Sequence, residues 1–464
     1  MDEPRGPKPR PGLVAARKSL GMTQEEIAEK VGVASTTWAR WERGVQGVRQ
    51  AYRSRIARLC GATPDQVRSW IDDAGDVKPR PWIAAAELMR TPLADIVDLM
   101  SELWRWEVDA ARRRLLAALP LVPAFVSEWL LDYTYRTPDD ASTYSGRGPS
   151  VGEADVHRIH EALQAFTQMD HQFGGGLVRG AVVDYLATQV HPLIEGRYTA
   201  KVGAELMTAA AGITRLAGWQ AFDLGRQGLA QLQFGHSLRL AKAGGDQLTA
   251  SWVLATMAQQ ACDLREPDPA LRLASAARDA GKAAHAGPRV TAMLTVREAR
   301  ATAVGIMLAD TPDRHALRRV EHLINRAEVV FASATPQDDE PAWINNFGPA
   351  ELTAEVGHCW HMAGEQERAA ACAEAALRGF GTRFARSAQF NTVHLAQAAL
   401  HRNELDHSLA LARDAVPMAN ALTSARAVRL VQSFDRELDP YRGEAGVREW
   451  RAYMQAELRT RVAA

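Results

Sequence analysis

The fold is decided by residues 22–44, which read MTQEEIAEKVGVASTTWARWERG. Thr23, followed three positions later by Glu26, predicts a capping box, in which each side chain binds the backbone N–H of the other residue. Apolar residues at helical spacing follow, and Gly32 predicts the end of this helix. The stretch therefore begins with one short, well-delimited helix.

A second short helix is predicted to begin near Ser35 and to end at Arg43. Two short helices joined by a tight glycine turn predict a helix-turn-helix. Trp38 and Trp41 are three positions apart and share one face of the second helix. We expect both indoles to pack in the core of the domain rather than to stack on bases.

Residues 12–71 resemble the helix-turn-helix domain of the Cro/CI (XRE) family of DNA-binding regulators, on the runs TQEEIA, GV and WERG. The resemblance implies five helices, with one before the quoted stretch (13–20) and two after it (50–60 and 63–71). Ala34 stands where the family usually has a capping residue. We expect a loss of about 1 kcal/mol there, unless Ser35 or Thr36 takes over the cap.

The resemblance also implies which residues bind DNA. Ser35, Thr36 and Thr37, at the start of the second helix, are expected to enter the major groove. Gln24, which opens the first helix, is expected to contact phosphate. Arg40 and Arg43 are expected to reach base edges or the DNA backbone. Two alternatives stay open, since Arg43 could be a plain surface charge and Thr37 could be purely structural.

One such module makes few contacts, so the resemblance and the geometry favour a dimer that reads two half-sites of double-stranded DNA about one helical turn apart. Charge supports a nucleic-acid partner for the N-terminal part. Residues 1–60 hold 12 Lys and Arg against 6 Asp and Glu, although the whole chain has 55 of each class. A basic head on an acidic body is typical of a nucleic-acid-binding module joined to another domain.

Several other classes of protein are disfavoured by the composition. Four cysteines without a CxxC pair argue against a disulfide scaffold and a cysteine zinc finger. The N-terminus has no apolar core of a signal peptide, and the longest uncharged apolar run, 115–127, is too short for a membrane span. We therefore expect a cytoplasmic protein with free thiols and no membrane partner.

The remainder of the chain, 464 residues in all, reads as helices with a repeat. Small residues recur in the pattern of the tetratricopeptide (TPR) helical pair, at Ala230, Ala270, Ala369 and Ser408, with steps of 40, 99 and 39. The long step leaves room for an irregular copy around 291–331. We predict an all-α protein: helix-turn-helix domain 1–74, linker and connecting helices 75–150, and TPR-like α-solenoid 151–464.

The whole arrangement resembles XRE-type regulators of high-GC Gram-positive bacteria, which join a helix-turn-helix to a TPR-like region. Residues 169–186 and 212–246 carry this second resemblance. It implies a concave groove that binds a small molecule, a peptide or a protein partner and alters the dimer. The repeat register places polar and aromatic residues on that inner face, namely Arg215, Trp219, Gln259, His358, His361 and Gln397. The alternative is a solvated polar inner face without a ligand.

Catalytic and metal chemistry find little support. His358 and His361 share a helical face, but no fourth ligand has convincing spacing, and nucleophile-elbow, zinc-protease and kinase motifs are missing. We therefore expect no enzyme, no cofactor and no metal. The sequence predicts a dimeric, sequence-specific transcriptional regulator with a TPR-like sensor and dimerisation region. The alternative function is a TPR-like protein-interaction scaffold in which DNA binding is secondary.

Overall fold

The computed structural model describes residues 10–60, 62, 67, 70–71, 88–135, 148–309, 311 and 313–458. The chain divides into two compact units, Met1–Ile83 and Ala84–Ala464. Within the described ranges the only strand-type pairing is an isolated parallel bridge between Ser150 and Arg197. The prediction of an all-α protein is confirmed, with a helix-turn-helix unit followed by a region of packed helix pairs.

The first unit contains four short helices with described bounds. They are α1 (Pro11–Ser19), α2 (Gln24–Val31), α3 (Ser35–Glu42) and α4 (Gln50–Leu59). A fifth helix, predicted over 63–71, lies mostly outside the described residues, but Val67 and Ile71 are helical and buried. They complete a core around Trp38 and Trp41, whose rings meet edge to face with centroids 5.9 Å apart. The expectation that both indoles pack in this core is confirmed.

The second unit begins with helices that precede the repeats. They are α5 (Leu93–Val108), α6 (Ala110–Ala117), α7 (Ala124–Tyr135), α8 (Glu153–Phe173), α9 (Gly175–Tyr185) and α10 (His191–Ile194), with a π-helical turn (Leu186–Val190) between the last two. Buried contacts tie α5 to the repeats, since Trp104 Nε1 donates to Gln233 Oε1 over 3.4 Å and Gln233 Nε2 donates to Glu107 Oε1 over 2.6 Å. The predicted linker around 75–81 lies outside the described residues.

Twelve helices form what we call the repeat region, the first ten of them in five consecutive packed pairs. They are α11 (Ala200–Asp223), α12 (Gln227–Ala243), α13 (Gln247–Asp263), α14 (Pro267–Ala283), α15 (Pro288–Leu308), α16 (Arg314–Ala332), α17 (Pro349–Met362), α18 (Gln366–Gly379), α19 (Ala385–His401), α20 (Leu405–Ala421), α21 (Ala425–Glu437) and α22 (Ala445–Glu457). Short 3-10 turns lie at Ala342–Asn346, Thr382–Phe384 and Asp439–Tyr441.

Small residues allow the helices of a pair to approach closely, as the repeat pattern predicts. A Cβ atom on Gly218 of α11 would lie only 2.5 Å from Phe234 Cδ1 of α12. In α14 the buried alanines Ala270, Ala274 and Ala277 recur at helical spacing. The irregular copy expected around 291–331 is the pair α15 and α16, in which the buried face of α16 is formed mainly by Val320, Leu323 and Ile324 instead of small residues.

The C-terminal repeats also contact α8 and α9. The backbone N–H of Thr423 donates to Phe173 O over 2.8 Å, and Gly176 N–H donates to Thr423 O over 3.0 Å. Gly174 makes the turn between α8 and α9 with φ of 84°, a conformation that favours glycine. The last repeats therefore pack against the helices that precede the first repeat. No helix of the described segments is both long and apolar enough to cross a membrane.

Candidate DNA interface and candidate ligand cavity

Helix α2 begins and ends at the residues that the sequence predicts. The backbone N–H of Thr23 donates to Glu26 Oε2 over 2.7 Å, and the backbone N–H of Glu26 donates to Thr23 Oγ1 over 3.2 Å. These hydrogen bonds lower the pKa of Glu26. Gly32 ends α2 with φ of 80°, in the left-handed region. Local capping thus fixes the length of α2 and the entry into α3.

Glu42, at the end of α3, is a buried acceptor that holds three helices together. Its carboxylate accepts from Arg17 Nε of α1 (2.7 Å), Gln24 Nε2 of α2 (2.5 Å) and Trp38 Nε1 of α3 (2.8 Å). Burial raises the pKa of Glu42, but the hydrogen bonds from these three side chains outweigh burial and lower it below its usual value. The orientation of α3 relative to α1 and α2 therefore depends on one charged group.

The predicted DNA-contacting residues occupy the side of α3 away from the core. Thr36, Arg40 and Arg43 are exposed, and Ser35 and Thr37 are half-buried, whereas Trp38, Trp41 and Glu42 on the other side are buried. Thr36 and Arg40 of α3 and Arg43, its C-cap, are thus exposed together, and Ser35 and Thr37 lie half-buried at the edges of that surface. No side-chain cap forms at Ala34, so neither Ser35 nor Thr36 replaces the missing N-cap.

Two of these side chains already have intramolecular contacts. Arg43 Nε donates to the carbonyl of Ala39 over 3.2 Å. The half-buried side chain of Gln24 donates to Glu42, so its amide is held next to the N-terminal end of α2. Phosphate contact by Gln24 stays a prediction.

In the second unit, three of the six predicted groove residues meet at one cavity. Arg215, Trp219 and Gln259 line a space of about 740 Å³, which includes the part open to solvent. Its other walls come from α8, α13, α15, α17 and the segment before α17. The remaining lining residues are Thr167, Asp170, His171, Leu216, Trp252, Ala255, Thr256, Met293, Arg297, Trp343, Ile344, Asn346, Phe347 and Glu351.

Arg215 of α11 is the buried cation of this cavity. Its guanidinium lies over the indole of Trp252, with Cζ 3.6 Å from the ring centroid, and Nη1 donates to Thr256 Oγ1 over 3.4 Å. The Nε atom is buried without a hydrogen-bond partner. Burial lowers the pKa of Arg215 to about 9, because removal from water disfavours the charged form.

Aromatic rings form flat walls beside this arginine. Trp252 and Trp343 stack in parallel, with centroids 4.6 Å apart and an interplanar angle of 5°. Trp219 Nε1 donates to Asp170 Oδ2 over 3.1 Å, which leaves buried Asp170 Oδ1 without a hydrogen-bond partner. The cavity therefore offers both stacking surfaces and free polar atoms.

Two further titratable groups face the same cavity. Burial raises the pKa of Glu351 to about 7, although its carboxylate accepts a hydrogen bond from Ser387 Oγ over 2.7 Å. Burial lowers the pKa of His171 to about 3, with a contribution from nearby arginines.

A chain of ion pairs, buried except at Asp263, connects α8 and the first helices of the repeats. We call it the charge network, and each link joins an arginine to an acidic residue on another helix. The links are Asp170–Arg386 (2.9 Å), Asp223–Arg386 (3.3 Å), Asp223–Arg426 (3.8 Å), Asp263–Arg426 (2.5 Å), Asp263–Arg300 (2.7 Å) and Glu355–Arg300 (3.3 Å). Burial lowers the pKa of Arg386, but Asp170 and Asp223 outweigh it and raise the pKa.

The other three predicted groove residues lie around His394, apart from this cavity. The ring centroids of His358 and His361 are 4.6 Å and 4.9 Å from that of His394, and His394 Nδ1 lies 2.9 Å from Gln397 Oε1. Burial lowers the pKa of His358 well below its usual value, and the Arg300 charge adds to this. Across the described segments, no cluster of His, Cys, Asp and Glu is arranged to hold a metal.

Comparison with known proteins assigns the first unit. Residues 13–70 match the family model of a helix-turn-helix domain. Neither the curated proteins nor the solved structures give a match. A helix-turn-helix domain suggests a DNA-binding regulator, in agreement with the exposed polar face of α3.

Neither the charge network nor the stacked pair of Trp252 and Trp343 was predicted from the sequence. A signal for the network was present, because Asp223 and Asp263 are 40 residues apart, as are Arg386 and Arg426, which equals the repeat step. No such signal exists for Trp343, which lies in an irregular segment between two repeats. The role of Glu42 as a shared acceptor is also a property of the fold rather than of any local motif.

Proposed function

We propose that the chain is a sequence-specific transcriptional regulator that binds double-stranded operator DNA through its helix-turn-helix domain. The observation that carries this proposal is the distribution of side chains on α3. Its apolar face is fixed in the core, while Thr36, Arg40 and Arg43 are exposed beside half-buried Ser35 and Thr37. Hydroxyls accept or donate at base edges, and arginine recognises guanine or phosphate.

The backbone-contacting part of this interface includes Gln24. Its side chain is held by Glu42, next to the N-terminus of α2, where a helix terminus favours phosphate. The excess of basic over acidic residues in 1–60 supplies the long-range attraction to DNA. We place the protein in the cytoplasm, where it has access to the chromosome.

The repeat region supplies the second half of the proposed function. One helix-turn-helix module makes too few contacts for tight specific binding, so the protein binds as a homodimer that reads two half-sites. The repeat region forms the dimer contact and senses an effector in the cavity around Arg215. An effector that prefers one of two dimer arrangements shifts the population between them and thereby changes operator affinity.

The direct test is selection of fragments from the organism's own genome by the full-length protein, followed by sequencing. We expect enriched fragments that share an inverted repeat, with half-site centres about 34–36 Å apart. Arg40→Ala should abolish the enrichment, whereas Arg378→Ala, which removes an exposed charge from α18, should retain it. Equal enrichment by both variants would contradict our placement of the reading face. A lack of enriched fragments, together with a stable protein complex, would favour the scaffold function.

A further inference from the structure

Arg215 differs from three other buried arginines of the repeat region, Arg300, Arg386 and Arg426, in having no carboxylate within 4.0 Å among the described residues. Arg300, Arg386 and Arg426 each contact two carboxylates within 4.0 Å. Arg215, only 6% exposed, contacts none among the described residues, and its hydrogen bond to Thr256 is long, at 3.4 Å. A buried cation without a counter-ion is costly unless a ligand supplies the missing charge.

The position of Arg215 fits that explanation, because the side chain lines a cavity rather than a packed core. Stacking on Trp252 holds the guanidinium in one orientation, and Nε is left without a partner. A planar guanidinium with free N–H groups matches the geometry of a carboxylate. Preorganisation of this kind reduces the entropy lost when a ligand binds.

The walls of the cavity indicate the rest of the ligand. Trp252 is already covered by the stacked indole of Trp343 and by the Arg215 guanidinium, so a flat conjugated ring in the cavity has Trp343, Trp219 and Phe347 as its aromatic neighbours. Asp170 and Glu351 also line the cavity and disfavour a second negative charge on the ligand. The free Asp170 Oδ1 can accept a hydrogen bond from a ligand hydroxyl or N–H group.

We propose that the cavity around Arg215 binds an organic monoanion, a carboxylate attached to a flat conjugated ring. The carboxylate pairs with the Arg215 guanidinium, and the ring packs against the tryptophans. This inference rests on the proposed function, because it names the chemical class of the effector that the repeat region senses. It makes Arg215 a specificity-determining residue for that effector.

The test uses three probes with the full-length protein in titration calorimetry. The probes are 2-naphthoate, which has ring and charge; 2-naphthamide, which has the ring without the charge; and acetate, which has the charge without the ring. We expect saturable binding of 2-naphthoate, with an affinity about tenfold or more above that of either control, because one charge-assisted hydrogen bond contributes about that factor. Arg215→Met should remove the preference, and Arg378→Met should keep it. Equal affinity for 2-naphthoate and 2-naphthamide, or no saturable binding, overturns the proposal.

A second measurement excludes a purely structural role for Arg215. If the residue is kept for a ligand, Arg215→Met should leave the midpoint of chemical unfolding unchanged or raise it, since functional sites are held at a cost in stability. A clearly lower midpoint of unfolding, or failure of Arg215→Met to fold, would overturn the proposal.

Binding of genome fragments by the full-length protein, measured without any naphthoate probe, separates this inference from the proposed function. Retained DNA selection with failed naphthoate discrimination refutes only this inference, and failed DNA selection refutes the proposed function, whatever the probes show.

Discussion

Arg386 of α19 and Asp170 of α8 form a buried ion pair across 216 positions of the chain, with 2.9 Å between Nη2 and Oδ2. Arg386 also contacts Asp223, which in turn accepts from Ser424 Oγ over 2.8 Å. One guanidinium therefore links the helix before the repeats to the first and fifth repeat pairs. The charge network makes the repeat region a single cooperative body rather than an open array of independent pairs.

Arg386→Met should destabilise the second unit by about 3 kcal/mol or more, because it leaves buried Asp170 without its cation and removes one of the two arginines that contact Asp223. Urea unfolding followed by circular dichroism measures the change. The matched control, Arg378→Met, removes an exposed arginine and should stay within about 0.5 kcal/mol of the parent protein. Similar values for the two variants would show that the charge network contributes nothing to stability.

Glu42→Gln should loosen the helix-turn-helix domain, because the carboxylate accepts from side chains on α1, α2 and α3. We expect a loss of about 3 kcal/mol, seen as faster hydrogen exchange in α2 and α3. Glu29→Gln, at an exposed position of α2, is the control and should leave exchange unchanged. Unaltered protection of α3 in Glu42→Gln would contradict the role of Glu42 as the shared acceptor.

The sequence predicts the first unit well because its signals are local. Thr23 and Glu26 cap one helix, Gly32 ends it, and the tryptophan spacing identifies the buried face of the next. The repeat pairs are equally predictable wherever small residues mark close approach, as at Gly218. In α16 the buried face is formed mainly by Val320, Leu323 and Ile324, so the small-residue pattern shows only a gap of suitable length there.

The candidate ligand site is less predictable, since it depends on contacts between distant repeats. The repeat register places Arg215, Trp219 and Gln259 on one inner face, and in the structure all three line one cavity. It does not reveal that His358 lies apart from that cavity, beside His394. Such pairs join residues far apart in the chain and leave no local motif.

His236→Leu should stabilise the protein, most strongly in acid. His236 is fully buried, both ring nitrogens are without partners, and burial lowers its pKa to about 3. The unfolded chain therefore binds more protons between pH 6.5 and pH 3, and stability is lost as the pH falls through that window. We expect a gain of about 1–3 kcal/mol, larger at pH 5 than at pH 8, in urea titrations. His322→Leu, an exposed control, should show no such pH dependence.

Two glycine substitutions should have opposite effects on stability. Gly218→Ala places a methyl group against the buried ring of Phe234 and should cost about 1–3 kcal/mol. Gly180→Ala, in the middle of α9 with open space around it, should add about 0.5–1 kcal/mol through helix propensity. Thermal unfolding of both variants measures the difference. A neutral Gly218→Ala would refute the close approach of α11 and α12.

We propose that the exposed face of α3 recognises the base sequence of the protein's operator DNA. The most direct measurement compares binding of the double variant Ser35→Ala, Thr36→Ala to a selected operator and to random DNA, across a range of salt concentrations. We expect operator affinity to fall to the level of random DNA, while salt-dependent binding to random DNA is unchanged. An equal loss of affinity for both DNAs, or retained preference for the operator, would contradict it.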